Sequence, residues 1–341
     1  MGLTKPIEQY LFSNLLIRIH VFMYLKDIIR GEENMNKWVS LYGNFEPRDE
    51  NIIFNGQELQ NVTGETQPLV GEILFEDKML SGAVSVDIEF ESCDIQRGEE
   101  AGVILNYLSQ DDFICAGISG NVFKYDVKHL TKGSWQPMGA AGAVPQLQKE
   151  KIHIEIKMDP SVLQLLVDGI EVVTVPLSFM LKKSSVGLWA CSKRKIIFSN
   201  LKVETQKPEL FVISQYGGIY DQLYNEVIKP ICERKNIRLK RADEETGATP
   251  ILTDIINSIR TANIIIADIT PDNPNVFYEL GYAHAIGKNV ILLCDAALRQ
   301  KLPFDISGYR TIFYDNTMSG KNKFETKVND YIATILSQQN I

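Results

Sequence analysis

Positive charge is in short supply in this chain. Its 35 Lys and Arg are outnumbered by 43 Asp and Glu, leaving a net charge of −8 over 341 residues. General nucleic-acid binding needs a basic surface, so no nucleic-acid partner is expected. Cysteine is sparse as well: Cys93, Cys115, Cys191, Cys232 and Cys294 are widely spaced, odd in number and form no CxxC pair. That pattern excludes a disulfide framework and a thiolate zinc site, and it suits buried thiols in a reducing compartment. No other metal cluster is evident, so neither metal nor cofactor is expected.

Long apolar runs are missing too. The nearest approach, "YLFSNLLIRIHVFMYL", is too short to span a bilayer, is broken by Arg18 and His20, and precedes no small-residue cleavage site. We read residues 1–34 as an amphipathic helical segment, expect no membrane partner and take a cytoplasmic location as the default. Repeats and low-complexity tracts are absent. What remains is a globular composition, 45% hydrophobic and 23% charged, in a chain long enough for two domains.

Residues 35–204 read as short alternating strands. "AVSVDIEFES" places Val84, Val86, Ile88 and Phe90 on one face, with Ser85, Asp87, Glu89 and Glu91 on the other. "AGVILNYL", "DFICAGI", "VFKYDVKHL", "KIHIEIKM", "SVGLWAC" and "KIIFSNLKVE" follow, and "VDGIEV" carries the Asp-Gly signal of a tight hairpin. Many short strands without a convincing helix predict an antiparallel β-sandwich. Trp38, Trp135 and Trp189 are scattered along it and form no evident aromatic platform; Trp189 reads as core.

A polar run with Pro208 sets a linker at 205–208, and from 209 to 341 strands and helices alternate. Apolar "LFVISQY" precedes the helical stripe Ile219, Leu223, Val227 and Ile231, in which Pro230 predicts a kink. Strand "IRLKRAD" leads to helix "ATPILTDIINSIRTA", with Thr249 as N-cap and Pro250 in the first turn. Strand "NIIIADI", helix "NVFYELGYAHAIG", strands "NVILLCD" and "RTIFYDN" and a helix around 323–336 complete the pattern. This order predicts a flavodoxin-like parallel sheet covered on both faces.

Ligands in such folds bind beyond the carboxyl ends of the strands. Three segments converge there. The turn Ser214, Gln215, Tyr216, Gly217, Gly218 lets a backbone approach a phosphate. Asp268 ends a buried strand, with Asp272 and Asn273 in the loop that follows. Asn273 then caps a helix holding Asn275, Tyr278, Glu279 and Tyr282, which Gly287 can end. Glu279 therefore falls near the crevice, among aromatic residues. His284, five residues further, belongs to another helix face and reads as packed or exposed.

Two resemblances follow. "EEAGVILNYLSQDDFICAGI", "KIHIEIKMDPSVLQLLVDGIEV" and "SSVGLWACSKRKIIFSNLKVE" resemble the concanavalin A-like lectin and glucanase jelly rolls, laminin-G-like modules in particular. The resemblance implies a two-sheet jelly roll with a glycan or protein ligand, and no particular activity. Asp87, Glu89 and Glu91 match a hydrolase only in sharing a face, and a solvated outer face is the preferred reading.

"ADITPDNPNVFYELGYAHAIGKNVILL", with "FVISQYGGIYDQLYNEVIKPICE", "RADE" and "LPFDISGYRTIFYD", resembles the nucleoside 2-deoxyribosyltransferase-like and TIR-like superfamily. The resemblance makes Glu279 catalytic at a ribosyl anomeric carbon and likens Asp254 to the aspartate that assists the leaving base. Where those transferases have a second aspartate, six residues before the glutamate, this chain has Asn273. A neutral base needs an acid to leave, whereas the pyridinium of NAD does not. The implied activity is thus an N-glycosidase acting on NAD or a related nucleotide, with Asp268, Asp254 and Asn273 orienting the ribose. A deoxyribosyltransferase and a non-catalytic nucleotide-binding receptor remain the alternatives. Pairing with a sensing module resembles antiviral defence effectors, and related sites completed by a second subunit admit a homo-oligomer.

Overall fold

A computed structural model describes residues 38–48, 50–60, 66–95, 97–143, 147, 149–244, 251–299, 301–315 and 317–339. The expected segment 1–34 and the expected cap Thr249 with Pro250 lie outside the described residues.

The first half is built of two seven-stranded antiparallel sheets. One runs, in spatial order, Trp38–Tyr42, Val70–Met79, Ser184–Cys191, Glu100–Ser109, Asp112–Ser119, Phe123–Thr131, Ser134–Ala143. The other runs Ile170–Pro176, Val162–Val167, Lys151–Met158, Gly82–Phe90, Ile196–Thr205, Asn51–Phe54, Phe45–Arg48. Period-two patterning drives the sandwich: Val84, Val86, Ile88 and Phe90 all turn inward, against Val103, Leu105, Ile114 and Leu188 of the opposite sheet. The "VDGIEV" hairpin turns on Asp168 and Gly169, whose φ values of 50° and 81° suit a primed two-residue turn.

On the outer side of the second sheet Asp87 accepts hydrogen bonds from His153 Nδ1 at 2.6 Å and Asn200 Nδ2 at 2.8 Å, and it pairs with Lys151. Burial works to raise its pKa, but those partners outweigh it and hold the carboxyl below its ordinary value. Asp87 is thus part of an ion network, and Glu91 lies beyond the strand in solvent.

The second half contains a five-stranded parallel sheet: β1 (Glu209–Ile213), β2 (Arg238–Arg241), β3 (Ile264–Asp268), β4 (Val290–Asp295) and β5 (Thr311–Tyr314), in the order β2-β1-β3-β4-β5. This is the flavodoxin-like order. Between β1 and β2 run α1 (Gly218–Leu223), a π-helical turn (Tyr224–Ile228) and α2 (Lys229–Arg234). The expected kink at Pro230 is expressed as that π turn. The proline has no N–H and crowds the carbonyl four residues back, and the wider turn relieves both problems.

α3 (Ile251–Thr261) and α4 (Pro274–Ala285) cover one face of the sheet, packing Ile259, Val276, Leu280 and Ala283 on Phe211, Ile213, Ile265 and Ala267. The other face takes Val227, Ile228 and Ile231 together with α5 (Met318–Gln338), through Phe324, Val328 and Ile332. Strands buried on both sides explain the unbroken apolar runs. The two halves are joined where Lys183 N–H donates 2.7 Å to the Gln339 carbonyl.

Candidate active site

β1 and β3 are neighbours whose following helices leave to opposite faces, so a crevice opens beyond their carboxyl ends. The Ser214–Gly218 turn forms one wall. Gly217 and Gly218 have φ values of 88° and 56°, and a side-chain carbon added to either would meet nothing within 4 Å. Backbone conformation, not crowding, therefore demands glycine here. Gln215 is exposed and Tyr216 is half-exposed. The Tyr216 phenol is pushed above its ordinary pKa, first by burial and then by the nearby charges of Glu279 and Asp243. The Glu279 carboxylate is therefore within electrostatic reach of this turn.

The register of α4 explains the state of Glu279. Val276, Leu280 and Ala283 form the buried stripe. At 100° per residue Glu279 lies about 60° from Val276 and about 40° from Ala283, on the flank of that stripe. It is half-buried, and among the described residues nothing hydrogen-bonds to it or pairs with its charge. Burial alone raises its pKa to about 7. Asn273 accepts from Asn275 N–H at 3.0 Å as N-cap, and Pro274 takes the first turn. The helix ends in a Schellman arrangement at Gly287: Lys288 N–H reaches the Ala283 carbonyl and Gly287 N–H the His284 carbonyl.

Asp268 lies below the crevice and is not part of its open surface. It is 3% exposed and accepts from Thr270 N–H at 2.9 Å and from the Tyr314 hydroxyl at 2.8 Å. Burial raises its pKa against the pull of these donors, and Asp295 adds to the rise. With Ser214 and Tyr220 it lines a void of about 10 Å³, roughly the room of one water. The Ser214 hydroxyl is buried and has no hydrogen-bond partner among the described residues.

The other expected residues separate. Asp272 is exposed and pairs with Arg299, which also donates 3.0 Å to the Thr270 carbonyl. Asn275 and Tyr278 are exposed on the first turns of α4. Asp254 is half-buried on α3. Tyr282 does not join the crevice. It lines a cavity of about 310 Å³ between the two halves, with Phe179, Arg260, Ile286 and Lys288. His284 stacks on Tyr309 with ring centres 4.2 Å apart, and burial lowers its pKa, so it stays neutral near pH 7.

Two arginines escape a reading by motif: Arg241 at the end of β2 and Arg299 after β4. Arg241 is buried and paired with Asp221 and Asp243. A buried arginine closing a strand was the available signal. Lys288, in the "GK" pair, caps α3 by donating to the carbonyls of Arg260 and Ala262. Two of the three scattered tryptophans come together in space. Trp135 and Trp189 meet edge-on with centres 5.3 Å apart, beside Phe113, and Lys128 sits 4.6 Å over Trp135 while paired with Glu100.

Residues 213–322 match the family model described as nucleoside 2-deoxyribosyltransferase. No curated protein matches the chain. Among solved structures, the first half is similar to the carbohydrate-binding module CBM66 from Bacillus subtilis, at 13% identity over 50% of this chain and 98% of that one, with a TM-score of 0.41. A prokaryotic β-1,3-1,4-glucanase (lichenase) derived from a mouse hindgut metagenome aligns at 11% identity over 50% of this chain and 94% of that one, TM-score 0.36. Crh5 transglycosylase aligns at 13% identity over 51% of this chain and 80% of that one, TM-score 0.35. Among the described residues no helix is long and apolar enough to cross a membrane. The protein thus joins an antiparallel two-sheet β-sandwich to a parallel-sheet half in which residues 213–322 are similar to the nucleoside 2-deoxyribosyltransferase family.

Proposed function

We propose that the α/β half breaks an N-glycosidic bond, with Glu279 acting at the anomeric carbon of the sugar. One observation carries this reading: on the helix that follows the switch-point strand β3, Glu279 is a half-buried carboxylate that has no partner among the described residues. As the carbon–nitrogen bond breaks, its electrons leave with the base and positive charge builds on the sugar. A carboxylate in a partly dry site stabilises that charge or bonds to the carbon, and water then releases the sugar.

The favoured substrate is NAD or a related pyridinium nucleotide, because its base departs without a proton. Asn273 supports this choice, since its side chain caps α4 and offers no acid. The family match favours a second reading, transfer of a deoxyribosyl group from one base to another. On either reading the jelly roll serves as a sensing module for a glycan or protein ligand, as in a defence effector.

Purified protein is incubated with NAD and, separately, with pairs of nucleosides and free bases, and the products are separated by chromatography. Nicotinamide release supports the first reading and base exchange the second. If neither occurs, or if Glu279→Gln performs as well as wild type, the enzymatic reading is wrong and a nucleotide-binding receptor is left.

A further inference from the structure

Arg241 closes β2 beside Val212 of β1. Its guanidinium carbon lies 4.2 Å from the centre of the Tyr224 ring and 5.4 Å from that of Tyr216. Nε and Nη2 fork onto the two oxygens of Asp243, each at 2.7 Å, and Nη1 donates 2.8 Å to Asp221 on α1. The Tyr224 hydroxyl is anchored in turn on Glu244 at 2.7 Å. The side chain of Arg241 is 7% exposed. Two carboxylates already answer its charge, so it is poorly suited to hold a substrate phosphate. It joins β2, α1 and the Ser214–Gly218 turn instead.

We infer that Arg241 is a positioning residue, pinning the Tyr216 ring at the wall of the crevice as the surface on which the base of the substrate stacks. The inference rests on the function proposed above. One side of the Tyr216 ring is held by the guanidinium, while half of the residue stays open to solvent. A ring ordered before binding spares the substrate the entropy of ordering it. The contact is the same in ground and transition states, so its loss raises KM and leaves kcat in place. Lysine has neither the plane to lie between two rings nor the fork for Asp243.

The test is base release measured for wild type, Arg241→Lys, Arg241→Met, Tyr216→Phe, Tyr216→Ala and the double variant Arg241→Met/Tyr216→Ala. Each Arg241 variant is expected to raise KM about tenfold with kcat within about twofold, and Tyr216→Phe to behave as wild type. The double variant should be no worse than Tyr216→Ala, because both changes remove one interaction. Recovery of KM in Arg241→Lys, additive effects in the double variant, or a loss confined to kcat overturns the inference.

Should Arg241→Met fail to fold, Asp243→Asn loosens the same fork and is expected to raise KM in the same direction; an unchanged KM overturns the inference. Should wild type release no base, the proposed function fails while the positioning claim is still decided by ¹³C-tyrosine NMR. The Tyr216 signal, identified by its loss in Tyr216→Phe, moves to the value of a mobile ring in Arg241→Lys if the arginine pins it. An unmoved signal overturns the claim.

Discussion

The Tyr314 hydroxyl donates a 2.8 Å hydrogen bond to Asp268 Oδ2, tying the end of β5 to the end of β3 across the intervening strand β4. Thr270 completes the knot, accepting from Asp295 N–H at 2.9 Å while its own N–H serves Asp268. The ends of β3, β4 and β5 are thus tied together through Thr270 and one buried carboxylate. Tyr314→Phe leaves that carboxylate short of a donor and is expected to destabilise the protein by about 1–3 kcal/mol, read from the denaturant midpoint. An unchanged midpoint would show that Asp268 is satisfied without the phenol.

The catalytic proposal carries its own pH dependence. Glu279 must be ionised to act, and burial has raised its pKa to about 7. Base release should therefore climb through neutrality and level off above pH 8, falling about tenfold per unit on the acid side. Glu279→Gln should lower the rate by about 100-fold or more and remove the dependence. A wild-type profile flat between pH 6 and 8 would contradict the assignment.

Glu72 offers a separate test in the jelly roll. It is 5% exposed, lies across the strands from Tyr42 and Trp189, and among the described residues its buried Oε2 has no partner. Burial raises its pKa from 4.5 to about 7. The folded state therefore binds the proton more tightly than the unfolded chain, and its stabilising contribution is whole below pH 4.5 and lost as pH rises to about 7. Glu72→Gln keeps the shape without the charge, so its melting temperature should exceed that of wild type at pH 8 and match it near pH 4. A variant less stable than wild type at pH 8 would place an unseen cation beside the carboxylate.

Lys288 also makes a structural prediction. Its ammonium caps α3, and burial brings its pKa down to about 8. Lys288→Met should cost about 1 kcal/mol and speed amide exchange at the end of α3, with little change elsewhere. Uniform exchange across the α/β half would instead mark a global loss.

Much of this architecture could be read along the chain. Val84, Val86, Ile88 and Phe90 alternate because their strand has one dry face. The runs "LFVI" and "IIIAD" do not alternate because β1 and β3 are covered twice. α4 announced both of its ends, Asn273 and Pro274 at the start and Gly287 at the close. Those caps also fix where Glu279 falls, between the first and second turns of the helix. Side chains whose partners are distant in sequence were harder to place. Tyr282 looked like a neighbour of Glu279 and faces the cavity between the halves. Asp272, in the loop expected to meet the substrate, is paired with Arg299.

Sequence alone determined the two fold classes, the order of their elements and the helix that bears Glu279, since periodicity, caps and turns are local properties. Tertiary structure decided which side chains share a neighbourhood: Arg241 between two tyrosines, Trp135 against Trp189, Asp268 beneath Tyr314. Strand pairing sets those encounters, bringing together residues tens of positions apart, and no local pattern records which strand will lie beside which.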